Sequence, residues 1–510
     1  MEKTNHSQNS KRIAKNTLFL YFRTIVTMLI SLYTSRILLE ALGIIDFGIY
    51  NIVGGVVIMF SFLSNALAAG TQRFLSFELG KKNYDQLKKT FSMLLNIHFL
   101  ISILIFVLAE TLGLWFLNTK LNIPPEKIVA ARWIYQFSIL SFIFTVLQVP
   151  YYASIIAHEK MNMFAYIGIL DASLKLLIVF VLTWINYNKL TLYGFLIFFA
   201  TLIIFIIYIV YCRFNFKECN YKYSWDKKFF KMIFNYSGWN LFGGLSVVAI
   251  DQGVNIILNV FFGPAINASR GIAYQVKSAI TTFTSNFQTA VNPQIIKSYA
   301  SDNHAYMMTL LYQSAKHSFY LLFLLSLPVL LETKLILSLW LKVVPDYTVL
   351  FCRLILINAW IDCLSGPLVT AVQATGRIKL YQIIVGSLLM LNLPLSYIAI
   401  KLTMRPEIAF YISIIISLVA LFTRLTILEK IIEISLSTYF NRVLLRVMVV
   451  MILPIVSSYF LLFLLDSGVC RFILVSLFSI LGTIGSVYLW GLNAHEKQFV
   501  VSKIKIFCKL

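Results

Sequence analysis

The chain has 510 residues, 59% of them hydrophobic and only 13% charged, with a mean hydropathy of +0.82. A soluble protein of this length carries about a quarter charged residues, so a soluble enzyme or binding module is excluded and a polytopic membrane protein is implied. The net charge of +22 does not signal nucleic acid. The cations sit in short loops between apolar runs, which suits segments facing an anionic cytoplasmic leaflet.

Residues 1–15 are polar and basic, and the apolar run after them lacks an A-x-A cleavage pattern, so it reads as a retained first span. Spans follow at about 16–39, 44–69, 90–117, 130–157, 163–185 and 190–212. A basic linker occupies 213–231. Further spans lie at about 232–260, 264–292, 309–333, 346–374, 378–400, 406–429, 441–465 and 468–490, before a basic tail at 491–510. The expected fold is all-α with about 14 transmembrane helices. It divides into a cytoplasmic tail (1–15), a six-helix lobe (16–212), the linker, a second six-helix lobe (232–430) and two additional helices (441–490). Lys81, Lys82, Lys88 and Lys89 after span two, and Lys217, Lys222, Lys227 and Lys228 after span six, orient both termini to the cytoplasm. The connections Leu42 to Asp46 and Phe262 to Ile266 then lie outside.

Residues 41–83, moved by 220 positions without a gap, fall on 261–303: Gly43 on Gly263, Ser64 on Thr284, Asn83 on Asn303. Few residues are identical, but spans and loops coincide. Six spans repeated in the same orientation predict parallel halves, an arrangement that encloses a central cavity.

Spans seven and eight carry polar residues unsuited to lipid. At 100° per residue, Asn240, Asp251, Asn255 and Asn259 share about a 100° arc, and Arg270, Tyr274, Lys277, Thr281, Thr284 and Gln288 about an 80° arc. Span one has a similar face in Arg23, Thr27, Ser31 and Thr34. Such faces line a solvated cavity or form a buried helix–helix seam. The six cysteines and six histidines are dispersed, without metal-ligand spacing, so neither a metal nor another cofactor is expected.

With ILLEALGIIDFGIYNIVGGV (37–56), FFGPAINASRGIAYQV (261–276) and NPQI (292–295), the chain resembles the Wzx-type polysaccharide repeat-unit flippases. They belong to the MOP superfamily, with the lipid II flippase MurJ and the MATE exporters. The resemblance implies two six-helix lobes around a V-shaped cavity and export of undecaprenyl-diphosphate-linked oligosaccharide across the bacterial inner membrane for O-antigen or capsule synthesis. It also implies a lipid groove at the two C-terminal helices. The implied partners are the lipid-linked oligosaccharide, membrane lipids and other polysaccharide-assembly proteins, with no nucleic acid.

A lipid diphosphate needs cations where water reaches, and the guanidinium fork suits phosphate oxygens. Within spans these are Arg23, Arg36, Lys175, Arg270, Lys277, Lys316, Arg353 and Arg424. Arg36 and Lys316, near span ends, compete with snorkelling to the interface, and Lys175 with an internal bridge to Asp171. Arg23, Arg270 and Lys277 are the chosen substrate contacts, lined by Thr27, Ser31, Asn240, Asn255, Asn259, Tyr274, Thr281 and Gln288. Among the acids Glu110, Asp171, Asp251 and Asp362, Asp251 is the candidate for ion coupling, with a bridge to Arg270 or Lys277 as the alternative. Gly253 and its neighbours in span seven permit bending or close packing, and Pro293 closes span eight. The competing functions are a MATE-like cation-coupled exporter, which would favour acids over cations, and a membrane glycosyltransferase, polymerase or ligase. No nucleophile–base pair supports catalysis.

Overall fold

The computed structural model describes residues 2–58, 61–119, 125–185, 188–341, 344–494 and 496–498; side chains are described throughout except at 2–11, scattered positions between 32 and 66, and 229, 249, 259, 264, 265 and 268. The helices are α1 (Glu2–Ile58), α2 (Ser61–Gly80), α3 (Tyr84–Leu108), α4 (Leu114–Thr119), α5 (Ile128–Leu147), α6 (Val149–Ala157), α7 (Met161–Trp184), α8 (Lys189–Asn215) and α9 (Lys227–Phe262). Beyond Gly263 come α10 (Pro264–Ala300), α11 (His304–Leu331), α12 (Thr333–Trp340), α13 (Thr348–Thr375), α14 (Ile378–Met390), α15 (Asn392–Thr403), α16 (Ile408–Ile432), α17 (Leu436–Tyr439), α18 (Leu445–Leu464) and α19 (Val469–Ser486). No strand occurs among the described residues.

Twelve helical stretches among the described residues are long and apolar enough to cross a membrane. Two of the expected spans, 44–69 and 264–292, are not among them. They are the pair that the 220-residue shift superposes. The second is helical throughout, and it is the polar face from Arg270 to Gln288 that lowers its hydropathy. Helical structure at this depth is required in any case, since only internal bonding satisfies the backbone in lipid.

The repeat is visible in backbone detail. Lys82 and Asp302 both have φ of 56°. Asn83 and Asn303 then cap the following helices, each side chain accepting from the N–H three residues on at 3.1 Å. The connection between α6 and α7 turns at Glu159 with φ 60°, and that between α13 and α14 turns at Gly376 with φ 75°.

The helix breaks differ between halves for a local reason. Gly263 has φ 79°, and Pro264, with no N–H to lose, opens the next helix. Gly43 is followed by Ile44, and α1 continues through the expected connection at Leu42–Asp46. One glycine without proline costs a helix only about 1 kcal/mol. Pro293 does not close its span; it lies inside α10, which runs seven residues further.

Two compact units form, one from Met1–Gly244 with Ile296–Asp302, the other from Leu245–Ile295 with Asn303–Leu510. In the first, α1 packs on α7, α5 on α8 and α2 on α6. Its interior includes Ala131, Ile134, Tyr135 and Ile139. The Tyr135 hydroxyl donates to the Ala109 carbonyl at 2.7 Å, where the helix widens into a π-turn. In the second unit α13 packs on α16 and α11, and α11 on α19. Phe351 and Phe410 meet there at 4.4 Å, centroid to centroid. The long polar helix α10 supplies most of its length to the second unit and its last turn to the first.

Candidate functional site

The candidate site lies in the second unit. Opposed charges come together because the turn at Gly263 folds α10 back along the end of α9. Arg270 is 6% exposed and Nη2 donates to Asp251 Oδ1 at 2.5 Å and to the Asp251 carbonyl at 2.9 Å. Its Nη1 donates to Asn255 Oδ1 at 3.3 Å, and that oxygen also accepts from Asn267 Nδ2 at 3.1 Å. The guanidinium lies 4.2 Å from the Tyr274 ring centroid, and Lys277 Nζ lies 5.6 Å from the same ring. Tyr274 is thus flanked by two cations, each about one turn away on its own helix, an arrangement its ring quadrupole favours.

A cavity of about 480 Å³ opens beside this cluster. Asp251, Tyr274 and Lys277 line it, facing Asp362 from α13 and Ser417 and Arg424 from α16. Asp362 Oδ2 accepts from Asn358 at 2.9 Å, its Oδ1 from Ser417 at 3.0 Å, and Lys277 Nζ approaches to 3.9 Å. Arg424 is 8% exposed, donating from Nε to the Tyr381 hydroxyl at 3.1 Å and from Nη1 to Ser365 Oγ at 2.9 Å. Asn392 donates to Ser413 Oγ at 2.9 Å on the same wall. With Arg270 counted beside Asp251, three cations meet two carboxylates here. The arrangement can hold an anion at the cost of loosening an existing ion pair.

Of the residues chosen from sequence, the structure brings together Asp251, Asn255, Arg270, Tyr274 and Lys277. Thr281 turns back on its own helix, donating to the Lys277 carbonyl at 2.9 Å. Gln288 is a packing residue. Its amide donates to Ser318 Oγ and to the Cys363 carbonyl, both at 3.2 Å. A methyl group at Gly366 would fall 2.4 Å from the Gln288 Oε1.

Arg23, Thr27, Ser31 and Asn240 belong to the first unit. The Arg23 guanidinium lies 4.6 Å from the Phe164 ring centroid, in space left by Gly168. Thr27 donates to the Thr24 carbonyl at 3.2 Å, Ser31 is exposed, and Asn240 is buried. The side chains of Asn259 and Arg36 lie outside the described residues.

Lys175 bridges to Asp171 at 2.7 Å, as the one-turn spacing suggests. Lys316 does not snorkel. It is 2% exposed, 3.6 Å from Glu496 and 3.3 Å from the Gly491 carbonyl, because the C-terminal segment returns beside α11. Arg353 donates to the Leu330 carbonyl at 3.2 Å. Gly253 serves close packing, since a methyl group there would fall 2.4 Å from Leu393.

The residues that sequence reasoning left out of the site are Asn358, Asp362, Asn392, Ser413, Ser417 and Arg424. Part of the signal was there. Asn358 and Asp362 are one turn apart, and Ser413, Ser417 and Arg424 share about a 40° stripe at helical periodicity.

No protein-family model and no curated protein sequence matches the chain. Solved structures do. One is the outward-facing conformation of a multidrug resistance MATE family transporter of the MOP superfamily, with TM-score 0.73 and 13% identity over 83% of this chain and 96% of that one. Another is a MOP superfamily transporter from Pyrococcus furiosus, described by a reverse polarity of its binding pocket that suggests a different function, with TM-score 0.71, 13% identity and the same coverage. A third is the MATE transporter ClbM in complex with Rb+, with TM-score 0.68 and 17% identity over 84% of this chain and 97% of that one. At these identities the likeness shows the fold: a multi-pass membrane protein built as MOP-superfamily transporters are.

Proposed function

We propose that the protein is a flippase that carries undecaprenyl-diphosphate-linked oligosaccharide repeat units from the cytoplasmic to the outer leaflet of the bacterial inner membrane. The observation that carries this reading is the cavity of the second unit, where Lys277, Arg424 and Arg270 stand in or beside a wall that holds only two acids. A site for cationic drugs needs the opposite balance. The basic loops and the resemblance in 37–56 and 261–276 agree with an anionic lipid substrate.

In the proposed cycle Arg270 exchanges its Asp251 partner for a diphosphate oxygen, with Lys277 as a further contact. Release of Asp251 leaves a carboxylate able to take a proton or a sodium ion, so substrate and coupling ion compete through one arginine. Differential binding to two states is what couples a transporter. No bond of the substrate is made or broken.

The test is genetic. Deletion of the gene should leave complete undecaprenyl-linked oligosaccharide on the cytoplasmic side while surface polysaccharide disappears. Truncated oligosaccharide would instead indicate a glycosyltransferase. Altered drug susceptibility with normal surface polysaccharide would indicate a MATE-like exporter.

A further inference from the structure

The segment between α8 and α9 crosses α3 as a strap. The Tyr221 hydroxyl donates to Asn96 Oδ1 at 2.9 Å, Asn96 Nδ2 donates to the Ser224 carbonyl at 3.3 Å, and the Lys222 N–H donates to Ser92 Oγ at 3.3 Å. Between strap and helix lies a cleft of about 300 Å³, lined by Asn96, Phe99, Leu100, Tyr223 and Trp225. Tyr223 is 74% exposed and Trp225 47%, although Trp225 is stacked on Phe230 at 5.0 Å. Aromatic rings held in place yet left open are unusual in a folded strap, unless something apolar covers them.

The order of residues along α3 says what that is. Lys89, Asn96, Leu100, Ile103 and Val107 fall within about 60° of one another on the helix. Lys89 is exposed, and so are the apolar side chains above the cleft. Read along this stripe, a cation is followed by an amide, an aromatic cleft and then an apolar strip. Exposed Lys222 and Lys227 flank Tyr223 and Trp225 at the cationic end; of the two acids of the strap, Glu218 is buried and paired with His158, and Asp226 accepts from the Lys228 N–H at 2.8 Å. An amphiphile with an anionic head and acyl chains has the complementary order, and tyrosine and tryptophan favour the level at which heads and chains meet.

We propose that this cleft binds an anionic diacyl phospholipid of the surrounding bilayer, its headgroup at Lys89, Lys222 and Lys227 and one acyl chain along Leu100, Ile103 and Val107. The strap is then seated on lipid as well as on protein. The inference does not depend on what the protein transports.

The experiment uses the full-length protein in nanodiscs of phosphatidylcholine containing a small fraction of either dibrominated phosphatidylglycerol or dibrominated phosphatidylcholine. Bromine quenches tryptophan on contact. The chain has eight tryptophans, so the Trp225 component is the difference between the wild type and Trp225→Phe. Brominated phosphatidylglycerol should quench that component at a mole fraction at least fivefold lower than brominated phosphatidylcholine. Each lysine near an anionic headgroup contributes about fivefold, so Lys89→Gln, Lys222→Gln and Lys227→Gln together should abolish the preference. All three positions are exposed, and the variant should elute as the wild type does. Equal quenching by the two lipids, no quenching by either, or a preference that survives the triple substitution would each overturn the proposal.

Discussion

Glu159 sits at a position where backbone strain and ion pairing oppose each other. Its backbone is in the left-handed region at φ 60°, where the matching turn of the second half has Gly376. A side chain in that region costs about 1–2 kcal/mol. The carboxylate, fully buried, is held by Arg12 at 2.8 Å and by Lys297 at 2.6 Å. Arg12 is half exposed, so its bridge contributes only about 0–1 kcal/mol. Lys297 is 22% exposed, and breaking a largely buried pair by removing one partner costs about 3–5 kcal/mol. The pair therefore outweighs the strain. Glu159→Gly should destabilise the protein by about 2–4 kcal/mol despite relieving the backbone, and Glu159→Gln by about 3–5 kcal/mol, since it leaves the strain in place. In detergent, the temperature at which half of the monodisperse protein is lost should fall by roughly 2–4 °C. Burial already lowers the Lys297 pKa from its ordinary value, with the Glu159 carboxylate opposing that shift. Without the carboxylate it should fall further. The unfolded chain then binds more protons than the folded one between the two Lys297 values, so stability rises with pH in that window. The deficit of Glu159→Gln should accordingly shrink as pH is raised toward the ordinary lysine range, as buried Lys297 sheds its proton. A Glu159→Gly variant at least as stable as the wild type would refute this reasoning and show that the turn strain outweighs the ion pairs.

Arg270→Ala and Lys277→Ala should lower transport about 10- to 150-fold, the equivalent of a charged hydrogen bond of about 1.5–3 kcal/mol; Arg270→Lys should rescue only partly, and wild-type transport by Arg270→Gln would remove arginine from the phosphate-binding reading. Asp251→Asn should abolish dependence on the ion gradient in proteoliposomes while substrate binding persists, and unchanged gradient dependence at normal abundance would eliminate the coupling role. In a double-mutant cycle, Asp251→Asn and Arg270→Gln should be coupled by about 1–3 kcal/mol, and additive losses in melting would mean that their contact contributes nothing. Cysteine at Asp346 should react with an impermeant thiol reagent from outside and cysteine at Asn83 or Asn220 should not; outside labelling at Asn83 would reverse the orientation. The companion outer site, Asn122, lies outside the described residues.

What the sequence by itself determined is whatever depends on near neighbours along the chain. Helical periodicity placed Arg270, Tyr274 and Lys277 on one face, and the four-residue spacing of Asp171 and Lys175 predicted their bridge. The Gly263–Pro264 pair marked the break between α9 and α10, and Asn83 and Asn303 marked a repeat that the structure reproduces in the turns and caps at those two positions. Missing from that reading was how strongly a single break is enforced: Gly43 and Gly263 look alike until the proline after only one of them is weighed.

Only the tertiary structure decided which charges meet. Asp251 and Arg270 are both polar-face residues, but their contact depends on how α9 and α10 fold back on each other. Asp362 and Arg424 enter the cavity because α13 and α16 pack together, and Lys316 is buried because Glu496 arrives from the far end of the chain. Nothing next to Glu159 in the chain marks it, and its two partners come from α1 and α10, far away in sequence. The reason is the range of the forces. Helix phase repeats every few residues and can be read from the chain, whereas an ion pair is settled by distances of a few ångströms between segments whose spacing in sequence carries no record of their spacing in space.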